Sequence, residues 1–149
     1  MNDEMRRRDF LRRLPGVTTG LAAGVASLPL AACAGARHVV PSRRMDAWVV
    51  PARELDDGGG AVFLSVPGAE RPVYVSRNAG GEVFAVLASC THRGCQPEPV
   101  GARLVCPCHG SEFALDGRLL QGPAERPLTR YEVTVDGGDL LVRMEGSGR

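Results

Sequence analysis

Two short stretches hold nearly all the residues of this chain that can bind a metal: Cys90-Thr91-His92-Arg93-Gly94-Cys95 and Cys106-Pro107-Cys108-His109-Gly110-Ser111. Each carries two Cys and one His. Thiolate sulfur and neutral imidazole nitrogen suit iron and zinc. Four side chains, at Cys90, His92, Cys106 and His109, can converge on a metal centre. Cys95 and Cys108 are then a spare pair, able to bridge the two stretches or to sit as buried thiols. Of five Cys, only Cys33 lies elsewhere, and the third His, His38, reads as a solvated linker residue. A Cys₂His₂ set is also a common zinc set. Zinc, however, gives no reason for the extra Cys in each stretch or for Gly110-Ser111 after the His. Nothing nearby reads as a nucleophile or a general base.

Such loops need a frame, and the flanking sequence reads as short strands. Ala47-Trp48-Val49-Val50, the run from Ala61 to Val66, Pro72-Val73-Tyr74-Val75 and the run from Val83 to Leu87 are apolar and β-prone. The loop Asp56-Asp57-Gly58-Gly59-Gly60 and the turns Pro67-Gly68 and Asn78-Ala79-Gly80-Gly81 separate them. Near the end, Tyr131-Glu132-Val133-Thr134-Val135 alternates apolar with polar, and Asp136-Gly137-Gly138-Asp139 turns it back into the run from Leu140 to Met144. Many short strands with frequent turns predict an all-β, antiparallel sandwich or barrel. No sustained helical period follows the N-terminal region, and no internal repeat is evident.

The first 32 residues read as a targeting segment rather than part of the fold. Arg6-Arg7-Arg8-Asp9-Phe10-Leu11 contains the twin-arginine pattern RRxFL. The mildly apolar run from Val17 to Ala32 resembles the core of a twin-arginine export signal. Leu30-Ala31-Ala32-Cys33 resembles a bacterial lipobox, which implies cleavage after Ala32 and lipid on Cys33. The alternative is an uncleaved anchor, but a spanning helix needs roughly 20 predominantly apolar residues, and this segment barely reaches that. Either route puts the folded part outside the cytoplasm, on the periplasmic side, where a disulfide is permitted. Residues 33–44 have no periodic apolar pattern and read as a tether. About a dozen flexible residues reach on the order of 20 Å. The domain then runs over 45–149. All 18 basic residues are Arg, and from Cys33 onward 13 Arg meet 14 Asp and Glu. With signs so mixed, nucleic-acid binding is not indicated.

Between about residues 82 and 128 the motifs CxHxxC and CxCH resemble those of the Rieske [2Fe–2S] proteins, in which two His replace two Cys on one iron. The resemblance implies a Rieske-type antiparallel sandwich with a small cluster-binding subdomain, about 82–128, inserted between strands. It implies one [2Fe–2S] cluster per chain, with Cys90 and Cys106 on one iron and His92 and His109 on the other. It also implies a Cys95–Cys108 disulfide tying the loops together. Ser111 falls where high-potential members carry a Ser that bonds a bridging sulfide. Phe113 falls where they often carry a Tyr that bonds a cysteine sulfur, a bond Phe cannot donate. Arg93 departs from the apolar residue common after the first His in quinol-oxidising members. The stretch from Gly122 to Leu128 looks like the family's proline loop, covering the cluster from a third side.

Two thiolates and two neutral imidazoles leave an oxidised cluster formally uncharged, which eases reduction; Rieske centres span roughly −150 to +300 mV. The implied function is one-electron transfer rather than catalysis by this chain alone. The first expectation is an iron–sulfur subunit like that of ubiquinol–cytochrome c reductase, with a quinol-oxidising cytochrome b as partner and a c-type cytochrome as acceptor. It would be held at the membrane by the N-terminal lipid or anchor. The alternative is a free-standing, lipid-anchored or periplasmic Rieske carrier, or the small subunit of an arsenite-oxidase-like enzyme. The ferredoxin of a ring-hydroxylating oxygenase ranks below both, because those ferredoxins generally lack the extra Cys pair and are not exported.

Overall fold

Apolar residues in this chain are placed to fill two cores, one on each face of the same sheet. A computed structural model describes residues 36–144. The arginine-rich stretch, the apolar run and Cys33 lie outside the described residues. Among the described residues no helix is long and apolar enough to cross a membrane.

Among the described residues the strands are β1 (Arg37–Val39), β2 (Ser42–Arg44), β3 (Ala47–Pro51), β4 (Ala61–Leu64), β5 (Val73–Arg77), β6 (Val83–Leu87), β7 (Glu98–Val100), β8 (Arg103–Val105), β9 (Glu112–Ala114), β10 (Leu119–Gln121), β11 (Arg130–Asp136) and β12 (Asp139–Arg143), with one short helix, α1 (Arg53–Asp57). Eight strands join in the order β1-β4-β5-β6-β11-β12-β3-β2. The sheet folds over on β11. The start of that strand pairs with β6 through Arg130 and Tyr131, while Glu132 to Asp136 pair with β12. Val62, Leu64, Val73 and Val75 from one half therefore meet Val50, Leu140 and Val142 from the other in one buried cluster. This is the expected sandwich.

The second core explains why β4 to β6 read as continuous apolar runs instead of alternating ones. Phe63, Tyr74 and Val86 point away from the sandwich interior and pack with Leu104 and Phe113. Strands covered on both faces need apolar residues at every position. Leu104 and Phe113 belong to a second sheet, β10-β9-β8-β7, which lies between β6 and β11 in sequence. The inserted subdomain is thus seated on the back of the larger sheet. Burying a Val, Leu or Phe is worth about 1.5–3 kcal/mol, so this second core is enough to hold the small sheet in place.

Four expectations are corrected. Residues 37–44, assigned to the tether, are strands at the two ends of the large sheet. Backbone pairing at the sheet edges holds them, not an apolar period: Arg37 to Val39 align with Val62 to Leu64, and Ser42 to Arg44 align with Val49 to Ala47. The β1–β4 pair is also parallel, the one exception to antiparallel pairing in the described sheets. His38 is exposed, yet it is no free linker residue; its ring stacks on Phe63 at 5.0 Å between centroids and its Nδ1 lies 3.2 Å from Ser65 Oγ. Finally, the loop assigned to 56–60 begins inside α1, whose Leu55 is fully buried.

Candidate metal centre

The two loops are built on one backbone plan. In the first, the N–H of Gly94 donates to the carbonyl of Cys90 at 2.7 Å, and the N–H of Cys90 donates to the carbonyl of Cys95 at 2.8 Å. In the second, Gly110 N–H donates to Cys106 at 3.0 Å, and Cys106 N–H donates to Ser111 at 2.8 Å. The turn closes only if its fifth residue adopts positive φ, and Gly94 (φ 73°) and Gly110 (φ 76°) supply it. Cys90 and Cys106 thus hold equivalent positions, as do Cys95 and Ser111. The side chains hung on this shared frame then differ. The first loop has His at its third position, whereas the second has Cys there and His next.

That difference lets the loops face each other. Cys95 and Cys108 form a disulfide. Cys90 and Cys106 are free thiols, 2% and 1% exposed. They lie close enough for their side chains to share a hydrogen bond. Burial pushes the Cys106 thiol up; the Cys108 N–H pulls it back, Cys90 raises it further and the His109 N–H again lowers it. Two backbone donors thus await a thiolate that only a nearby cation would make stable. The rings of His92 and His109 stand edge-on at 4.8 Å and 86°. His109 is exposed, whereas the Nδ1 of His92 is buried with no hydrogen-bond partner.

Among the described residues, only Cys95, Cys106 and Cys108 place three His, Cys or carboxylate ligand atoms within 4.8 Å of one another. Two of those sulfurs are spent in the disulfide. The four remaining donors group as a thiol pair and an imidazole pair rather than four around one point. A tetrahedral zinc ion needs the latter; a two-iron cluster is served by the former.

A third loop closes the site, and the sequence reading missed how it is tied. The fully buried Ser111 accepts a hydrogen bond from Ala124 N–H at 3.0 Å. This occupies an oxygen lone pair and leaves the hydroxyl proton to donate elsewhere. Thr91 Oγ1 donates to the Arg126 carbonyl at 2.6 Å. The 122–128 segment is thereby fastened to both metal loops. Thr91 was not singled out in the sequence because a Thr between Cys and His carries no spacing signal of its own. Phe113 is fully buried, and Arg93 is exposed beside His92.

A sandwich bearing a small inserted sheet, whose disulfide-clamped loops present two thiols and two imidazoles, defines a cluster-binding electron-transfer domain. The chain belongs to the Rieske [2Fe–2S] domain family, which matches residues 46–132. A Rieske domain carries a [2Fe–2S] cluster and passes single electrons. The chain is 31% identical over 146 residues to the cytochrome b6-f complex iron-sulfur subunit of Chlorobaculum tepidum, covering 93% of this chain and 76% of that protein. The cyanobacterial plasma membrane Rieske protein PetC3 from Synechocystis PCC 6803 matches with a TM-score of 0.56 and 38% identity, over 62% of this chain and 94% of that one. The ferredoxin of carbazole 1,9a-dioxygenase from Nocardioides aromaticivorans IC177 matches with a TM-score of 0.51 and 26% identity, over 70% and 98%.

Proposed function

We propose that Cys90 and Cys106 bind one iron and His92 and His109 the other, and that the protein is the iron–sulfur subunit of a quinol-oxidising respiratory complex. The observation that carries the ligand assignment is the orphaned Nδ1 of His92. A buried polar atom without a partner costs about 1–3 kcal/mol, and coordination to a metal removes that cost. When bound, the cluster supplies a site that takes up and gives back one electron. The chain's own residues do the rest. The Cys108 and His109 amides stabilise the Cys106 thiolate. The disulfide fixes the separation of the loops. Ala124 and Thr91 hold the third loop over them, and the exposed edge of His109 gives a partner close approach.

The purified protein is expected to contain two iron and two acid-labile sulfide per chain and to become paramagnetic on reduction. Stoichiometric zinc with no such signal would overturn the assignment. Assignment to a complex rests on the likeness to the Chlorobaculum tepidum subunit, and co-purification with a cytochrome b from membranes tests it. The second reading is a free-standing membrane-attached carrier. The charged Arg93 and the likeness to PetC3 favour it; recovery from membranes without cytochrome b would select it. The Cys95–Cys108 disulfide speaks against the oxygenase-ferredoxin reading.

Export by the twin-arginine route and lipid attachment at Cys33 are part of the same proposal. Replacing Arg7 and Arg8 with Lys should trap the protein in the cytoplasm. Cys33→Ala should release it from the membrane fraction. Unchanged fractionation of either variant would remove the corresponding part.

A further inference from the structure

Taking the cluster assignment above as given, we propose that Arg93 and Arg126 form a two-charge cationic rim beside His92 that docks an acidic face of the protein exchanging electrons with this site.

The two residues are 33 positions apart in sequence, and the third loop brings them to one place. Thr91 Oγ1 donates to the carbonyl of Arg126, so the Arg126 backbone is held against the residue before His92. Arg93 is the residue after it. Both Arg side chains are exposed. Neither makes an ion pair among the described residues, and in this they differ from the other Arg of the inserted region. Arg103 is neutralised by Glu112 at 3.2 Å and Arg118 by Asp116 at 3.0 Å. Arg37, Arg44, Arg77 and Arg143 of the sandwich are likewise paired with carboxylates. Arg53 and Arg71 are also exposed and without an ion pair among the described residues; what sets Arg93 and Arg126 apart is that both stand on the loops tied together at Thr91, next to His92. One exposed carboxylate, Glu125, adjoins Arg126 in the same loop, and the rim keeps a positive excess.

A single solvated Arg is an ordinary surface feature. Two unneutralised ones, one following the half-buried His92 in sequence and the other with its backbone bonded to the residue before it, give a local field whose effects add. Such fields raise association rates by about 10- to 1,000-fold and fade with salt over a Debye length of roughly 10 Å. They act on encounter and register more than on final affinity. A partner drawn to this rim arrives over the imidazole edge, where an electron has the shortest way out.

The test uses the full-length, cluster-loaded protein. Oxidation of the reduced form by an acidic and by a basic c-type cytochrome is followed by stopped flow across a salt series. The wild type should react faster with the acidic cytochrome, with a rate that falls as salt rises. Arg93→Glu and Arg126→Glu should each lower that rate on the order of tenfold at low salt and flatten the salt dependence. Arg53→Glu makes the same change in net charge on α1 and should leave the rate within about twofold. Unchanged salt dependence in the first two variants overturns the proposal. So does an equal loss in Arg53→Glu, which would make net charge the whole cause. Loss of binding to anionic phospholipid vesicles in the rim variants, with cytochrome oxidation unaltered, overturns it in favour of a lipid surface. Reduced-state spectra separate the two levels: intact signals with unaltered kinetics refute the rim alone, whereas a wild type without a signal refutes the cluster assignment.

Discussion

With the cluster assigned as proposed, Ser111 and Phe113, two positions apart, should act on its potential in opposite directions. Ser111 has its oxygen engaged by the Ala124 amide, so its proton is free to stabilise negative charge on a neighbouring sulfur. Ser111→Ala should lower the midpoint potential and also destabilise the fold by about 1–3 kcal/mol, because a buried N–H loses its acceptor. Potentiometry and chemical unfolding read the two effects separately; a shift in stability with no shift in potential would reduce Ser111 to a loop fastener. Phe113 is fully buried and donates nothing. Phe113→Tyr should raise the potential. One hydrogen bond worth about 1 kcal/mol to the reduced form corresponds to roughly 40 mV in a one-electron couple. A fall in potential would mean that the hydroxyl does not reach a cluster ligand.

The metal loops are irregular and polar, and they hold their shape through cross-links rather than through a regular ladder of hydrogen bonds. The disulfide closes a segment with a sequence separation of 13. A loop of that size restricts the unfolded chain by about 3 kcal/mol in the entropic account. Cys95→Ser/Cys108→Ser should therefore lose stability of that order. It should also bleach its cluster absorbance severalfold faster in air, since the two loops then part more readily. Equal bleaching rates would show that Thr91, Ala124 and the small sheet suffice. That sheet is a firm base: Leu104 and Phe113 pair across β8 and β9 and pack under Phe63 and Tyr74. The Cys106 thiol, in contrast, awaits deprotonation. With burial raising Cys106, cluster or metal uptake by the apoprotein should quicken as pH rises, measured as the rate of absorbance recovery.

For the molecule as a whole, stability against pH should form a plateau bounded by two identified groups. Burial alone would raise the Asp116 carboxyl, but the Arg118 amide and guanidinium, with the Arg130 charge, hold it below its usual range. A carboxyl depressed in the folded state stabilises above its unfolded value, near 4, and that contribution is lost as pH falls through its folded value. Tyr74, buried between the two sheets, is pushed up to about 12. Its neutral form is favoured by folding. That contribution is complete below the unfolded value near 10 and is lost as pH rises through about 12. The melting temperature should stay level between roughly pH 4 and 10 as far as these groups decide. Asp116→Asn should flatten the acid limb and Tyr74→Phe the alkaline one. An unaltered alkaline limb in Tyr74→Phe would assign that limb to other groups, Tyr131 first among them, whose hydroxyl burial also raises.

Sequence alone determined the donor types, their loop spacing and the apolar strands of the sandwich from β3 onward, because each is written in neighbouring residues: Cys and His within six positions, and apolar runs ended by Gly-bearing turns. Sequence could not show that residues 37–44 belong to the sheet. Those strands are three residues long and mostly polar, and partners such as Arg37 and Val62 lie far apart in the chain. Nor could it show that β4 to β6 carry a core on each face, since an unbroken apolar run looks the same in either setting. Tertiary structure decided which side each residue faced, left His92 Nδ1 without a partner, and fastened the third loop through contacts 13 and 35 residues apart. The physical reason is range: local spacing encodes what a segment can bind, whereas backbone pairing and packing between distant segments decide where it is held.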